Sequence, residues 1–203
     1  MASIIPENSK GKSLDIEHQV VEATLKEAGK TFDRACKRLL NPSVWYLIAG
    51  ELSAKFTLQK SEDRRDTKLV DVGDYLAIDV PGPGLKAGDG FDWVRVELLQ
   101  KNTEPYCDGS IAMRLRASKN PSTKDAGIAH FFDGEATSTF IIKRMGKTVY
   151  ASYHGRNEIA NTANIPLLDK LRNKVVATGA EAGLSKLQWE ALIKEFLQHE
   201  IGG

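Results

Sequence analysis

The sequence predicts an α+β protein in which a curved antiparallel β-meander of about six to seven strands packs against helices from both ends of the chain. Two observations carry this prediction. Between residues 52 and 158, apolar and polar residues alternate, which is the two-residue period of half-buried strands. Towards both ends, apolar residues recur every three or four positions, which is the period of an amphipathic helix. The expected order is an N-terminal helix (or two), the sheet, and two C-terminal helices.

Length and composition favour a single domain over residues 1–203. A chain of 203 residues with 41% hydrophobic and 27% charged residues is long and apolar enough to bury a core. The 28 basic and 27 acidic side chains leave a net charge of +1, so no global field favours nucleic acid or anionic lipid. No apolar run reaches the roughly 18 residues of a membrane span. We expect a cytoplasmic protein with neither nucleic acid nor membrane as a partner.

The cysteines and motifs predict no cofactor and no metal. Cys36 and Cys107 form no metal-binding spacing, which suits two buried free thiols in a reducing compartment. No phosphate-binding loop or nucleophile elbow occurs. A metal site would require four side chains to converge: His130, Asp133, Glu135 and His154. Their spacing matches no metal motif.

The N-terminal part of the chain predicts a flexible tail followed by a long helix. Residues 1–12 are polar and contain a proline and a glycine, which favours the tail. Gly29 costs about 1 kcal/mol inside a helix relative to alanine, so we expect one helix or two pieces that meet there. The predicted helical stripe consists of Leu14, Val21, Leu25, Ala28, Phe32, Ala35 and Leu39.

Alternation then predicts a series of strands. These are expected at residues 52–58, 69–72, 75–80, 91–99 and 110–118. The segment 81–90 contains two prolines and four glycines, which forbids a regular ladder. This segment is either a long hairpin connection or the rim of a ligand site.

The clearest element is a β-hairpin over residues 137–158. A two-residue turn at Met145 and Gly146 would pair Ile142 with Val149 across the two strands. The glycine supplies the positive φ that such a turn needs. The hairpin is therefore expected to be the central ribbon of the sheet.

Two helices are predicted after the hairpin. The first covers residues 164–178, and the second begins at a capping box formed by Ser185 and Gln188. The second helix carries an apolar stripe made of Trp189, Leu192, Ile193, Phe196 and Leu197. The order of helix, antiparallel strands and C-terminal helices resembles the helix-grip proteins, in which a sheet wraps around a C-terminal helix. The resemblance implies a cavity between the sheet and that helix.

The sheet face that points away from the helices predicts a basic surface with aromatic residues. An anion or a planar ligand could bind such a face, although arginines on a solvated sheet face also serve solubility alone. The residues expected there are Trp93, Arg95, Glu97, Arg114, Arg116, Tyr150 and His154.

The polar end of the hairpin is the second candidate site. Along a regular strand, His154, Arg156 and Glu158 share a face. Glu158 could then orient the imidazole, and Arg156 could hold a ligand carboxylate. The same residues equally suit an ion pair that closes the strand end.

These patterns support three hypotheses about function. The leading one is a non-enzymatic binding protein that holds a small amphipathic or anionic ligand between the sheet and the helices. A protein-interaction or assembly module with an exposed Trp93 and arginine face, including a homo-oligomer, is the first alternative. A hydrolase or isomerase centred on His154 and Glu158 is the second. The ligand-binding candidates are Trp93, Arg114, Arg116, Tyr150, His154, Arg156 and Glu158.

Overall fold

A seven-stranded antiparallel sheet and three α-helices make up the described part of the chain. The computed structural model describes residues 3–50, 54–61, 67–79, 89–103, 109–123, 127–161 and 180–199. The predicted α+β class is confirmed. In chain order the elements are β1 (Lys12–Val21), α1 (Leu25–Leu39), α2 (Trp45–Ala49), β2 (Lys55–Gln59), β3 (Tyr75–Asp79), β4 (Asp92–Thr103), β5 (Gly109–Ala117), β6 (Thr137–Met145), β7 (Thr148–Glu158) and α3 (Ala180–Leu197).

Strands β2 to β7 form a meander, and β1 pairs with β7 at one edge of the sheet. The strand order is β1-β7-β6-β5-β4-β3-β2, and each neighbouring pair is antiparallel. The helices pack on one face, which we call the inner face, and the opposite face is the outer face. On the inner face α3 contacts β1, β7, α1 and α2. This is the helix-grip arrangement.

The N-terminal strand is the main departure from the sequence prediction. The predicted N-terminal helix starts too early, because Lys12–Val21 forms β1 and α1 begins only at Leu25. A capping box fixes this start: the Glu27 N–H donates to the Thr24 hydroxyl, and the Thr24 N–H donates to the Glu27 carboxylate. Gly29 lies inside α1, so the helix is not broken there.

Residues 3–11 reach the outer face of the sheet. The side-chain oxygen of Asn157 accepts a hydrogen bond from the Ser9 N–H at 2.9 Å. Further along the segment, Arg114 donates to the Ile4 carbonyl at 3.1 Å. These contacts replace the flexible tail expected from the sequence.

The hairpin of β6 and β7 forms, but its register differs by two residues from the predicted one. The turn consists of Gly146 and Lys147, so Ile142 pairs with Ala151 rather than with Val149. Gly146 has a φ of +57° and is the first central residue, which is where a type II′ turn places glycine. Because side chains alternate with a period of two, this shift keeps each of them on its predicted face.

A cluster of aromatic rings fills the space between the inner face and the helices. Trp45 of α2 is fully buried, and its ring centroid lies 4.9 Å from Phe56 and 5.1 Å from Phe140. Its indole N–H donates to the Arg38 carbonyl at 2.9 Å. The aromatic cluster consists of Trp45, Phe56, Phe140, Tyr153, Trp189 and Phe196.

The structure confirms the apolar stripe predicted for the last helix, but the helix begins earlier than predicted. α3 begins at Ala180, so Ser185 lies inside the helix and the predicted capping box is wrong. No helix in the described ranges is both long and apolar enough to cross a membrane. The other predicted helix, at residues 164–178, and most of the segment 81–90 lie outside the described residues. Four stripe residues are at most 1% exposed: Leu192, Ile193, Phe196 and Leu197.

Candidate functional site

The predicted site at the end of β7 is divided between the two faces of the sheet. His154 and Arg156 lie on the outer face, where both contact Asp15. Asn157 then adopts a left-handed φ of +57°, and the register between β1 and β7 shifts within this end of the strands. The Glu158 carboxyl consequently lies on the inner face. The prediction that His154, Arg156 and Glu158 share a face is wrong.

On the inner face, the side chains of Ser138, Tyr153 and Glu158 form a polar group that we call the inner corner. The Tyr153 hydroxyl lies 3.2 Å from the Ser138 hydroxyl and 3.5 Å from the Glu158 carboxylate. Gly155 makes room for this carboxylate, because a Cβ at that position would collide with the Glu158 oxygen. A side chain at position 155 would therefore require the Glu158 carboxylate to shift from this position.

Burial controls the protonation of the inner corner. It raises the pKa of Glu158 from its ordinary 4.5 to about 7, and the Tyr153 hydrogen bond and the charges of Lys12 and Arg156 compensate only in part. Burial, together with the charge of Glu158, also raises the pKa of Tyr153. Near neutral pH, Glu158 can therefore donate a hydrogen bond as an acid or accept one as a carboxylate.

Trp189 of α3 covers the inner corner from the helix side. Its indole stacks on the Tyr153 ring, with a centroid distance of 4.8 Å and an interplanar angle of 14°. Tyr153 is 2% exposed and Phe140 is fully buried, so the interior around these rings is packed. Trp189 is only half-buried, which makes its indole the outer layer of this stack. A planar molecule that reaches the inner corner would meet this ring.

On the outer face, His154 forms a row of hydrogen bonds with Ser152 and Asp15. Its Nδ1 lies 2.6 Å from Asp15 Oδ1, and its Nε2 lies 3.0 Å from Ser152 Oγ. Arg156 donates to the same Asp15 oxygen at 2.7 Å. Partial burial raises the pKa of Asp15, but the hydrogen bonds from Arg156 and His154 outweigh it, and the pKa is lowered. Asp15, rather than the predicted Glu158, orients the imidazole.

The row has the order of a Ser-His-Asp triad but lacks its surroundings. Ser152 is 6% exposed and lies in the middle of β7, paired with residues of both β1 and β6. Backbone N–H groups of such a strand bond to its neighbours. A serine nucleophile needs open access and N–H donors for the oxyanion. The row therefore fixes side chains on the sheet, and the predicted catalytic pair of His154 and Glu158 is not present.

Trp93 lies on the outer face but is not exposed there. It is 6% exposed and packs with Ala77 and Ala129 in a small second core. The segment that follows β5 is held to it, because the Trp93 N–H donates to the Ala129 carbonyl at 2.6 Å and the Ser118 N–H donates to the Trp93 carbonyl at 2.9 Å. The prediction of an exposed Trp93 face is therefore wrong. The hypothesis of a protein-interaction or assembly module no longer has an exposed aromatic residue to support it.

The remaining outer-face candidates lie in different places. Arg114 and Arg116 both pair with Glu97, at 2.8 and 3.0 Å. Tyr150 lies near the hairpin turn, where it pairs with Lys143 of β6. Tyr150 is thus separated from the arginines of the predicted basic surface, which stay together around Glu97.

The four side chains considered for a metal do not meet. His130 stacks on Phe131 with a centroid distance of 4.2 Å. Asp133 and Glu135 both pair with Lys10, at 3.2 and 3.6 Å. Within the residues that the structure describes, no three His, Cys, Asp or Glu side chains form a group that could hold a metal ion.

Cys36 is an inert thiol in this structure. Burial, with the charge of Asp33, raises its pKa to about 12, so the reactive thiolate is scarce at neutral pH. Cys107 lies outside the described residues.

Comparisons with known proteins return structural similarity only. No family model and no curated protein matches the sequence. The chain is similar to the di-domain ARO/CYC BexL from the BE-7585A biosynthetic pathway (10% identity, 92% of this chain and 51% of that chain, TM-score 0.34). It is also similar to ginseng major latex-like protein 151 from Panax ginseng (11%, 80% and 95%, 0.39) and to truncated norcoclaurine synthase from Thalictrum flavum (12%, 96% and 100%, 0.37). The chain spans about half the length of the di-domain protein. The strands and helices of the chain itself define its class, an α+β protein with the helix-grip arrangement.

Proposed function

We propose that this is a non-enzymatic binding protein that holds a small amphipathic molecule between the inner face and α3. The observation that carries the proposal is the inner corner, where the half-buried Glu158 carboxyl lies beside the Tyr153 hydroxyl, which in turn contacts the Ser138 hydroxyl. The ligand would direct a hydroxyl or amino group to this corner. Because the rings around Tyr153 are packed, the planar apolar body of the ligand would displace the half-buried indole of Trp189 from the Tyr153 ring.

The protonation of Glu158 supports a role beyond packing. Burial raises the pKa of Glu158 from 4.5 to about 7, which means that its ionised form is disfavoured in the folded protein relative to water. Ionisation of Glu158 therefore lowers the free energy of unfolding. An apolar side chain would fill the position without this penalty. Strongly shifted carboxyl groups are concentrated at functional sites, because a group near its pKa can both accept and donate a proton.

The charge of the inner corner favours a neutral or cationic head group. An ionised Glu158 repels a ligand carboxylate or phosphate. The other two candidates from this end of β7, His154 and Arg156, contact Asp15 on the opposite face and are not available to the ligand. The amphipathic alternative of the leading hypothesis is therefore favoured here over the anionic one.

N-Phenyl-1-naphthylamine, a neutral aromatic probe with one N–H donor, tests the proposal. We expect saturable binding, with an affinity that changes between about pH 5.5 and about pH 8.5 as Glu158 loses its proton. Glu158→Gln cannot ionise, so its affinity should stay constant over that range. Probe fluorescence measures both affinities, and native mass spectrometry of the purified protein would reveal a co-purified ligand.

Glu17→Gln is the matched control, because it makes the same chemical change at an exposed side chain of β1 on the outer face. It should bind the probe with the pH dependence of the wild type. Tyr153→Phe should weaken binding about threefold to tenfold, which is the net value of one hydrogen bond. The proposal fails if the wild type and Glu158→Gln show the same pH profile.

A further inference from the structure

A groove of about 440 Å³ on the outer face lies away from the inner corner. It covers parts of β3, β4 and β5, and we call it the outer groove. Its size falls within the range of about 300–1,000 Å³ that is typical of small-molecule sites. The side chains that matter for its chemistry are Val72, Tyr75, Arg95, Arg116, Lys119 and Ile128.

Both walls of the outer groove are attached to β4 by backbone hydrogen bonds. On one side, the Gly73 N–H donates to the Val96 carbonyl at 2.9 Å. On the other side, the Trp93 N–H donates to the Ala129 carbonyl at 2.6 Å, above the small second core. The groove is therefore formed before any ligand arrives, which reduces the entropy lost on binding.

Three residues on neighbouring strands form a row along the groove. Tyr75 pairs with Arg95, and Arg95 pairs with Arg116. Like charges in directly opposite positions destabilise a sheet. The guanidinium of Arg95 also lies 5.8 Å from the centroid of the Tyr75 ring, which holds its position. The adjacent arginines are unfavourable for the fold alone, and a bound anion would relieve their repulsion.

Glu97 neutralises only part of this positive charge. Its single carboxylate serves both Arg114 and Arg116, at 2.8 and 3.0 Å. Partial burial raises the pKa of Glu97, but Arg116 and Arg114 outweigh it and lower the pKa, so the group is ionised at neutral pH. Among the described residues, no carboxylate pairs with Arg95. Arg95 and the exposed Lys119 thus leave the groove with a net positive charge.

We propose that the outer groove binds a small planar carboxylate of the aromatic acid class. Arg95 binds the carboxylate through two parallel N–H donors, a geometry that guanidinium and carboxylate share. Lys119 adds a second cation at the rim. Val72, which is 50% exposed, and Ile128 contact the apolar ring. The site shares no residue with the inner corner, so it does not depend on the function proposed above.

2-Naphthoate and its uncharged analogue 2-naphthol test this proposal in an NMR titration of the full-length protein. We expect naphthoate to shift the Arg95 Nε–H signal and the Tyr75 and Val72 amide signals in a saturable way. Naphthol should bind at least about tenfold more weakly, because it lacks the charge-assisted hydrogen bonds. Arg95→Gln should weaken naphthoate binding by about tenfold for the same reason.

Urea unfolding of the variants distinguishes a role of Arg95 in ligand binding from a role in stabilising the fold. The urea midpoint of Arg95→Gln should stay close to that of the wild type, because the substitution removes a like-charge pair. Lys143→Gln removes an exposed cation of the outer face that does not line the groove, and it should change the affinity less than about twofold. If Arg95→Gln does not fold, Arg95→Lys keeps the charge without the paired donors and should weaken naphthoate binding at least about threefold.

Several results would overturn the proposal. These are equal affinity for naphthoate and naphthol, unchanged affinity in Arg95→Gln, and the absence of saturable binding. Shifts confined to Tyr153 and Trp189 would place the probe at the inner corner and would also overturn it. That last result would leave the proposed function intact, so the two proposals fail separately.

Discussion

Glu158→Gln is expected to raise the stability of the protein by about 3 kcal/mol at pH 8 and to leave it nearly unchanged at pH 4.5. The reason is that the folded and unfolded states hold the Glu158 proton with different affinities. The pKa is 4.5 when the side chain is in water, and burial raises it to about 7 in the folded protein. Glutamine has a similar size and no proton to lose.

The sign of this pH dependence of stability follows from the order in which the unfolded and folded states lose the Glu158 proton. Below pH 4.5, both states keep it, and the carboxyl group is neutral where it is buried. As the pH rises towards 7, the unfolded state releases its proton first, so the free energy of unfolding falls. Above about pH 7, the folded protein is ionised as well, and the full penalty is present.

Urea unfolding of the wild type and Glu158→Gln over this pH range measures the effect. The difference in unfolding free energy should grow between pH 4.5 and 7 and then level off. Glu17→Gln should follow the wild type, because its side chain is exposed. If the wild type and Glu158→Gln remain parallel at all pH values, Glu158 is not buried as described.

Trp45→Ala is expected to lower the free energy of unfolding by about 4 kcal/mol. Trp45 is fully buried at the centre of the aromatic cluster, in contact with Phe56, Phe140 and Phe196. The substitution leaves a large cavity and also removes the hydrogen bond to the Arg38 carbonyl. Since small domains are stable by only about 5–15 kcal/mol, the variant should unfold at a much lower urea concentration.

Trp45→Phe separates the loss of packing from the loss of the hydrogen bond to the Arg38 carbonyl. It keeps an aromatic ring in the cluster and lacks the N–H, so its destabilisation should be well below that of Trp45→Ala. Far-UV circular dichroism in urea gives both values. An effect of Trp45→Ala below about 1 kcal/mol would mean that the cluster is not the packed core described here.

The hairpin and the last helix could be predicted because their patterns are regular. On the inner face of β6 and β7, every second residue is apolar, from Phe140 to Ile142 and from Val149 to Tyr153. In α3, the apolar residues from Trp189 to Leu197 recur with the helical period throughout. The predicted turn of the hairpin lies one residue too early, because glycine occupies either central position in different turn types. The side chains of the hairpin nevertheless lie on their predicted faces of the sheet, because a register shift of two residues does not change the face.

The apolar residues near the N-terminus fit two periods, because Leu14, Ile16 and Val20 alternate as in a strand, whereas Leu14, Val21 and Leu25 fit a helical stripe. Val21 and Leu25 fit a helical stripe, yet they are 70% and 59% exposed. Thr24 and Glu27 carried the correct signal for the start of α1, as a capping box. Because the helical stripe predicts a helix where β1 lies, it gives no indication that Asp15 is the partner of His154.

The inner corner depends on a backbone feature that alternation does not contain. The positive φ of Asn157 sends Glu158 to the opposite face from Arg156. Asparagine tolerates this conformation, but its presence in a strand does not require it. For this reason Glu158 could be named as a candidate from the sequence, while its neighbours Tyr153 and Ser138 could not be assigned to it.

The pairing of β1 with β7 has a consequence for how the chain folds. Lys12 is opposite Glu158, so β1 joins the sheet only after β7, which lies far along the chain, is in place. Contacts between such distant parts of a chain form late, because a long loop must close first. Until then β7 is an open edge that can join strands of other chains. In pulse-labelling hydrogen exchange, we expect the β1 amides to gain protection after those of β6, and simultaneous protection would contradict this order.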